Sequence, residues 1–322
     1  MDFMTTSSPH IRGNNTTAGI MKDMLIALIP TVLAGTYFFG MRALYVILVS
    51  VLSAMAGEYA LRLILCKENT LFDCSAAVTG LLLALTLPAS VPYWVAAVGS
   101  LFAVVVVKGF CGGLGQNSFN PALGGRAFLV LVCPVYVTRF LAAGTKLGLD
   151  VPADAVTGAT PLHEMVMGTV PETPIMDMFM GNIGGCIGEV SALALLIGGA
   201  YLVYRKVITL RIPAAYIGSI AVLTLIFNKG NNPIDWMLYS VLGGGVLLGG
   251  IFMLTDYATS PVTPMGQIIY GVAAGALTVV FRYTGLFPEG VTYAILIMNA
   301  VAWILDEKTM PRRFGVQKGG AK

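Results

Sequence analysis

The chain has 322 residues, 57% hydrophobic and 11% charged, with a formal net charge of +3 and a mean hydropathy of +0.82. Soluble domains carry about 25% charged residues, so the composition excludes a water-soluble enzyme and describes a polytopic membrane protein. Apolar runs near the ~20 residues that cross a bilayer mean helices, because open strands leave backbone groups unpaired in lipid.

Ten spans are predicted, at 24–40, 43–65, 75–90, 91–110, 127–143, 183–204, 212–227, 235–255, 266–283 and 290–305. The polar residues before the first span do not read as a secretory signal. The third span ends in Leu87-Pro88 and runs almost directly into Val91-Pro92. Short, Pro- or Gly-interrupted segments of this kind mark midplane sites in inverted-repeat membrane proteins. Glu58 lies within the second span and Lys108 near the end of the fourth. Each is read as snorkelling or paired, with Glu58 the better candidate for an ion path.

The segment Gly112-Gly113-Leu114-Gly115-Gln116-Asn117-Ser118-Phe119-Asn120-Pro121-Ala122 opens the fifth span. Its glycines fit helix packing or a loop. Asn117 and Asn120 are three apart, which places both on one face if the turn is helical. An amide offers a donor and an acceptor together, as the uracil-like edge of a flavin ring requires.

The one long polar stretch contains Asp154-Ala155-Val156-Thr157-Gly158-Ala159-Thr160, followed by Pro161-Leu162. Gly158-Ala159 makes an unhindered turn that presents the Thr160 hydroxyl. It reads either as a surface turn or as an attachment point for FMN through a phosphoester.

The eighth span ends at Leu254-Thr255-Asp256, with Thr259-Ser260-Pro261-Val262-Thr263-Pro264 beyond it. Asp256 at a membrane end is costly unless paired or wetted. It reads as an interfacial turn or as a cation or flavin contact. The cysteines and two histidines show no metal-ligand spacing. Cys133 and Cys186 read as packing residues within apolar runs. No Walker loop, dinucleotide-binding unit or hydrolase triad is present. The basic pair Arg312-Arg313 reads as a cytoplasmic flank rather than a nucleic-acid site.

Positive charge sets the expected orientation. With both termini in the cytoplasm, only Arg42, Arg139, Lys146, Lys229 and Arg282 of the 19 basic residues lie on outer segments. Thr160 then faces the extracytoplasmic side. Five plus five spans imply two inverted halves, residues 1–143 and 183–306. An outer loop, 144–182, lies between them, and 307–322 form a cytoplasmic tail. Phe119-Asn120-Pro121 with Ala127, and Phe287-Pro288 with Ala294, give a local match between the halves.

Five segments together carry a resemblance over nearly the whole chain: Ser8-Pro9-His10-Ile11; Val78-Thr79-Gly80-Leu81-Leu82 through Leu85-Thr86-Leu87-Pro88; the Gly-rich segment through Ala122; Thr157 to Leu162; and Thr255-Asp256 with Thr259 to Pro264. The chain resembles the RnfD membrane subunits of Rnf complexes, the ion-translocating ferredoxin:NAD oxidoreductases. It is less similar to NqrB, the related membrane subunit of the sodium-translocating NADH:quinone reductase. NqrB usually carries a longer N-terminal extension and reads Gly-Thr-Gly-Lys-Asn where this chain has Gly113 to Asn117.

The resemblance implies covalent FMN on Thr160, with Asp154, Thr157, Gly158 and Ala159 completing the attachment pattern. Thr157 stands where Ser is commoner and keeps the hydroxyl. The resemblance also implies a second, noncovalent flavin, riboflavin, at Asn117 and Asn120. It implies a ten-helix inverted repeat like that of urea and ammonium channels, in the bacterial cell membrane. The expected partners are the other Rnf subunits with flavins and iron–sulfur centres, a flavin transferase, and Na+ or H+. Ferredoxin and NAD are expected on other subunits. The rival class is a flavin-free channel for a small neutral solute on the same fold.

Overall fold

The computed structural model describes residues 16–66, 70–110, 112–113, 115–142, 145, 147–148, 158, 160–171, 173–230, 232–285 and 290–310. Asp154, Thr157 and Ala159 lie outside the described residues, as do the Ser8 to Ile11 segment and the C-terminal tail from 311.

Helices α1 (Thr17–Phe39) and α2 (Met41–Ile64) form an antiparallel pair turned at Gly40. A short helix, α3 (Ser75–Leu85), follows, then α4 (Tyr93–Leu101), which continues as a π-helical stretch over Phe102–Gly109. Next come α5 (Pro121–Val132) and the single turn α6 (Pro134–Val137). Two short helices, α7 (Pro161–Val166) and α8 (Ile175–Met180), precede α9 (Ala192–Tyr204) and α10 (Arg211–Ile226). Helix α11 (Pro233–Leu242) breaks into α12 (Val246–Leu248), which again continues as a π-helix over Gly249–Met253. The last two helices are α13 (Pro264–Thr284) and α14 (Val291–Thr309).

Every predicted span contains a helix. Length separates them, however. Three helices, α1, α2 and α13, are both long and apolar enough to cross a membrane, and α11 with α12 forms a fourth such unit, bent by 59°. The 11 residues of α3 reach only about 16 Å. The expected span 183–204 is helical only from Ala192, where the Ser191 side chain caps Ala194 N–H. Upstream, the backbone is unwound and laid against the end of α3, with Ile187 N–H donating to Leu87 O at 3.0 Å and Gly188 N–H to Leu85 O at 2.7 Å. Cys186 is buried in this unwound segment rather than in a helical run.

The helix starts follow a repeated local rule. Asn120-Pro121, Thr160-Pro161 and Thr263-Pro264 each place an amide or hydroxyl at the N-cap and proline at the first helical position. The cap side chain satisfies an otherwise orphan N–H, and proline loses nothing there.

Two buried arginines hold the breaks. Arg42 on α2 donates to Ala89 O at 2.9 Å and Val91 O at 3.1 Å, closing the segment after α3. Arg282 on α13 donates to Ser240 O at 2.6 Å, Gly243 O at 2.9 Å and Gly244 O at 3.2 Å. Gly244 and Gly245 sit at φ +63° and +70°, which other residues adopt only with strain. Arg282 therefore supplies the donors that the broken helix cannot. Arg282→Ala is expected to destabilise the chain by about 3 kcal/mol, since buried carbonyls lose their partners. Thermal unfolding in detergent measures this, and Arg282→Lys should not restore it, because one ammonium cannot span the three carbonyls.

Candidate functional site

Two hollows lie at opposite ends of α1. The larger is lined by Ile20, Met21 and Met24 near the start of α1. The smaller is lined by Thr160, Met178, Gly184 and Glu189, among others. It lies near the far end of α1, where Phe38 closes on Gly181. From Ile20 to Phe38 is about 27 Å of helix rise.

The larger hollow sits where the sequence motifs converge. Both π-helical stretches end beside it, contributing Lys108 from one and Phe252 from the other. Such irregular turns recur at functional sites because they turn side chains away from helical register. Asn117, Asn120, Thr255 and Asp256, each singled out in the sequence, also line it.

The expected geometry of the two amides is corrected. Residues 117–119 are not helical and Asn120 is the cap of α5, so the two do not share a helix face. Their roles differ. Asn120 Oδ1 accepts from Ala122 N–H at 3.1 Å and Leu123 N–H at 3.3 Å, while its Nδ2 donates to Met253 O at 3.2 Å. It fastens α5 to the end of the second π-helix. Asn117 is also buried, and its Nδ2 donates to Phe119 O at 3.1 Å. Among the described residues, however, its Oδ1 has no hydrogen-bond partner. A buried carbonyl without a donor costs about 1–3 kcal/mol, and Asn117 does not recover that from the described residues. A ligand N–H in the hollow would supply it.

Asp256 is half-buried at the rim, accepting from Ala258 N–H at 3.3 Å. Burial pushes its carboxyl above the usual carboxylate range, with the Ala258 N–H and the Thr259 hydroxyl acting in the opposite direction. The neighbouring Tyr257 phenol is pushed up to about 12, by burial first and by the Asp256 charge second.

Glu58 and Lys108 pair beneath the hollow. Lys108 Nζ donates to Glu58 Oε1 and to Ser75 Oγ, both at 2.7 Å, and Thr70 Oγ1 donates to Glu58 Oε1 at 2.9 Å. Both charged side chains are only 4% exposed. The paired reading of these two residues is the one the geometry carries.

At the other end, Thr160 caps α7, its Oγ1 accepting from His163 N–H at 3.3 Å. The cap residue is partly exposed and begins a six-residue helix. Gly158 packs closely: a Cβ there would stand 3.3 Å from Ala142 Cα. Opposite Thr160 the wall of the hollow is Gly184, Gly185, Gly243 and Gly244 with Glu189. Sequence reasoning did not single out Glu189 or the Gly243 break. A triple glycine interrupting an apolar run was the signal for the latter.

Among the described residues the chain is an all-helical membrane protein, with a helix broken at Gly243-Gly244, a buried amide-lined hollow and a hollow beside the Thr160 hydroxyl. It matches the family model described as NQR2, RnfD, RnfE over residues 4–315, and the chain belongs to that family. It is 44% identical over 321 residues to the D subunit of the Na(+)-translocating ferredoxin:NAD(+) oxidoreductase complex of Acetobacterium woodii, covering 99% of this chain and 97% of the relative. It is 39% identical to the D subunit of the proton-translocating ferredoxin:NAD(+) oxidoreductase complex of Clostridium ljungdahlii, covering 98% and 97%. The D subunit of the ion-translocating oxidoreductase complex of Stutzerimonas stutzeri is 35% identical, with 92% and 91% covered.

Proposed function

We propose that the chain is a membrane electron-transfer subunit of an ion-translocating ferredoxin:NAD oxidoreductase, carrying FMN on Thr160 and a second flavin in the hollow of Asn117. The observation that carries the reading is the pairing of these two sites with the two ends of one membrane-length helix. A carrier that moves electrons across a bilayer needs a redox group near each face. A neutral-solute channel needs neither an accessible threonine beside a hollow nor an unsatisfied buried amide.

The residues fit the groups they would hold. The larger hollow sets apolar walls around a few polar groups, the pattern of small-molecule sites. Its polar atoms are few and convergent, and Asn117 Oδ1 awaits an N–H such as the imide of a flavin ring. Asn120 holds the wall in place, and Asp256 stands at the rim. Thr160 supplies the ester oxygen, and α7, which it caps, fixes its direction. When bound, the flavins supply the electron chemistry; the protein sets their position and electrostatic surroundings.

Orientation is supported by charge. Four of the basic residues counted from the sequence, Arg42, Lys108, Arg126 and Arg282, are buried side chains rather than loop charges. Setting them aside leaves twelve inner against three outer, a steeper bias than before. Both termini are then cytoplasmic, Asn117 lies toward the cytoplasm, and Thr160 lies outside, where a flavin transferase would act. The partners of the chain are the other subunits of the complex. The transported ion is Na+ or H+, as in the similar complexes.

In a denaturing gel, the chain coexpressed with its transferase is expected to fluoresce yellow-green under ultraviolet light, and Thr160→Ala to be dark. Fluorescence that survives the substitution would move the attachment elsewhere. A dark wild type would favour the channel reading.

A further inference from the structure

We propose that Arg126 is the counter-charge for the electrons this chain carries, a buried guanidinium between the two candidate flavin sites that makes both flavins easier to reduce. The proposal rests on the reading of Thr160 and Asn117 as flavin-bearing. It adds which side chain sets the reduction equilibrium at those sites.

Three observations converge on it. The first is an imbalance of charge. Among the described residues, the buried charged side chains are Arg42, Lys108, Arg126 and Arg282 against Glu58 alone. Glu58 is paired with Lys108, which leaves three guanidiniums. Half-buried Glu189 lies within electrostatic reach of Arg126 and Arg282 and offsets one charge of those two. Ionised groups at membrane depth are costly, so a surplus of one sign that the fold retains points to function.

The second is the work each guanidinium does. Arg42 and Arg282 donate to carbonyls at the two helix breaks, and that structural task accounts for them. Arg126 Nη1 and Nη2 donate instead to Cys186 Sγ, at 3.7 and 3.6 Å. A neutral thiol is a weak acceptor and cancels none of the charge.

The third is position. Arg126 stands six residues along α5 from its cap Asn120, about 9 Å of helix rise, and Asn120 walls the larger hollow. On its other side, Cys186 follows Gly184 and Gly185, and its thiol bonds to Glu189. Those three neighbours all line the hollow beside Thr160. The guanidinium therefore lies between the two sites.

The sign of the effect follows from charge. A flavin that takes two electrons from the redox group of a neighbouring subunit and one proton from water gains one net negative charge. A nearby positive charge in a low dielectric favours that form, and Glu189 opposes it. Burial keeps salt from screening either effect. Arg126 is thus a tuning residue, acting through space rather than by contact.

The full complex matured with its flavin transferase tests this, using wild type, Arg126→Gln, Arg126→Lys and Glu189→Gln. The covalent flavin is isolated by subtracting the spectrum of Thr160→Ala, and the second flavin by subtracting that of Asn117→Ala. Arg126→Gln is expected to move both midpoint potentials to more negative values, at low and high salt alike. The expected change is about tenfold in each reduction equilibrium, about 30 mV for two electrons. Arg126→Lys keeps the charge and should stay close to wild type. A wild-type potential for either flavin in Arg126→Gln would overturn the proposal. So would an equal shift in Arg126→Lys, which would mark a packing role. Should Arg126→Gln fail to fold, Glu189→Gln, which hardly alters volume, is expected to move the potentials to more positive values, and unchanged potentials would overturn the proposal. Covalent fluorescence persisting in Thr160→Ala, or undiminished flavin in Asn117→Ala, would instead overturn the flavin readings beneath it.

Discussion

Lys108→Ala is expected to destabilise the protein by about 3–5 kcal/mol, the scale for removing one partner of a buried ion pair. Lys108 Nζ is the donor common to Glu58 Oε1 and Ser75 Oγ, each at 2.7 Å. Without it the Glu58 carboxylate keeps only the Thr70 hydroxyl at 2.9 Å. Its other oxygen, Oε2, already lacks a hydrogen-bond partner among the described residues. An uncompensated carboxylate at this depth cannot reach water cheaply. Glu58→Ala should cost a similar amount by stranding the ammonium. The double variant Glu58→Leu/Lys108→Met should recover most of the loss, because apolar residues of similar volume replace both charges together. Thermal unfolding in detergent reads all three. A double variant no more stable than either single variant would show that the pair is not the unit of stability. Ion transport by the double variant in vesicles then asks separately whether Glu58 serves the ion path.

Asn117→Ala is expected to remove most of the acid-extractable riboflavin at a stability cost of about 1 kcal/mol, that of its single hydrogen bond to Phe119 O. The Asn117 carbonyl has no partner among the described residues, so beyond the Nδ2 donation to Phe119 O the fold loses only an acceptor it does not use. Asn120→Ala is expected to lose flavin and more stability than Asn117→Ala, since three hydrogen bonds go instead of one. It removes the cap of α5, worth about 1 kcal/mol, and the bond to Met253 O that joins α5 to the second π-helical end. The split between the two variants separates ligand contact from wall. Equal stability losses with equal flavin content would assign both amides to the fold.

The helices were legible because apolar runs and their Pro and Gly boundaries are local signals. Leu87-Pro88 and Val91-Pro92 marked the end of α3, and the segment through Asn120-Pro121 the opening of α5, whereas α7 lies in what reads as an outer loop. What hydropathy could not give was backbone direction. Residues 183–191 are as apolar as a helix, yet Gly188 lies so close to α3 that a Cβ there would stand 2.6 Å from Leu85 Cβ. The chain there pairs with a neighbour instead of with itself. Arg42, Arg126 and Arg282 read as loop charges, although each is folded inward. Their carbonyl and sulfur partners are distant in sequence and have no local signature. Asn117 and Asn120 read as one helical face because their spacing is three. The proline at 121 fixes Asn120 as a cap and leaves Asn117 outside the helix.

Asp154, Thr157 and Ala159, which complete the attachment pattern in the sequence, lie outside the described residues, so the chemical test must fall on Thr160 itself. Peptide mass spectrometry of the chain matured with its flavin transferase is the most direct measurement. The account predicts that the peptide containing Thr160 gains the mass of one FMN less one water, with fragmentation placing it on the Thr160 side chain. Recovery of that peptide unmodified, from chain that has met an active transferase, would contradict it.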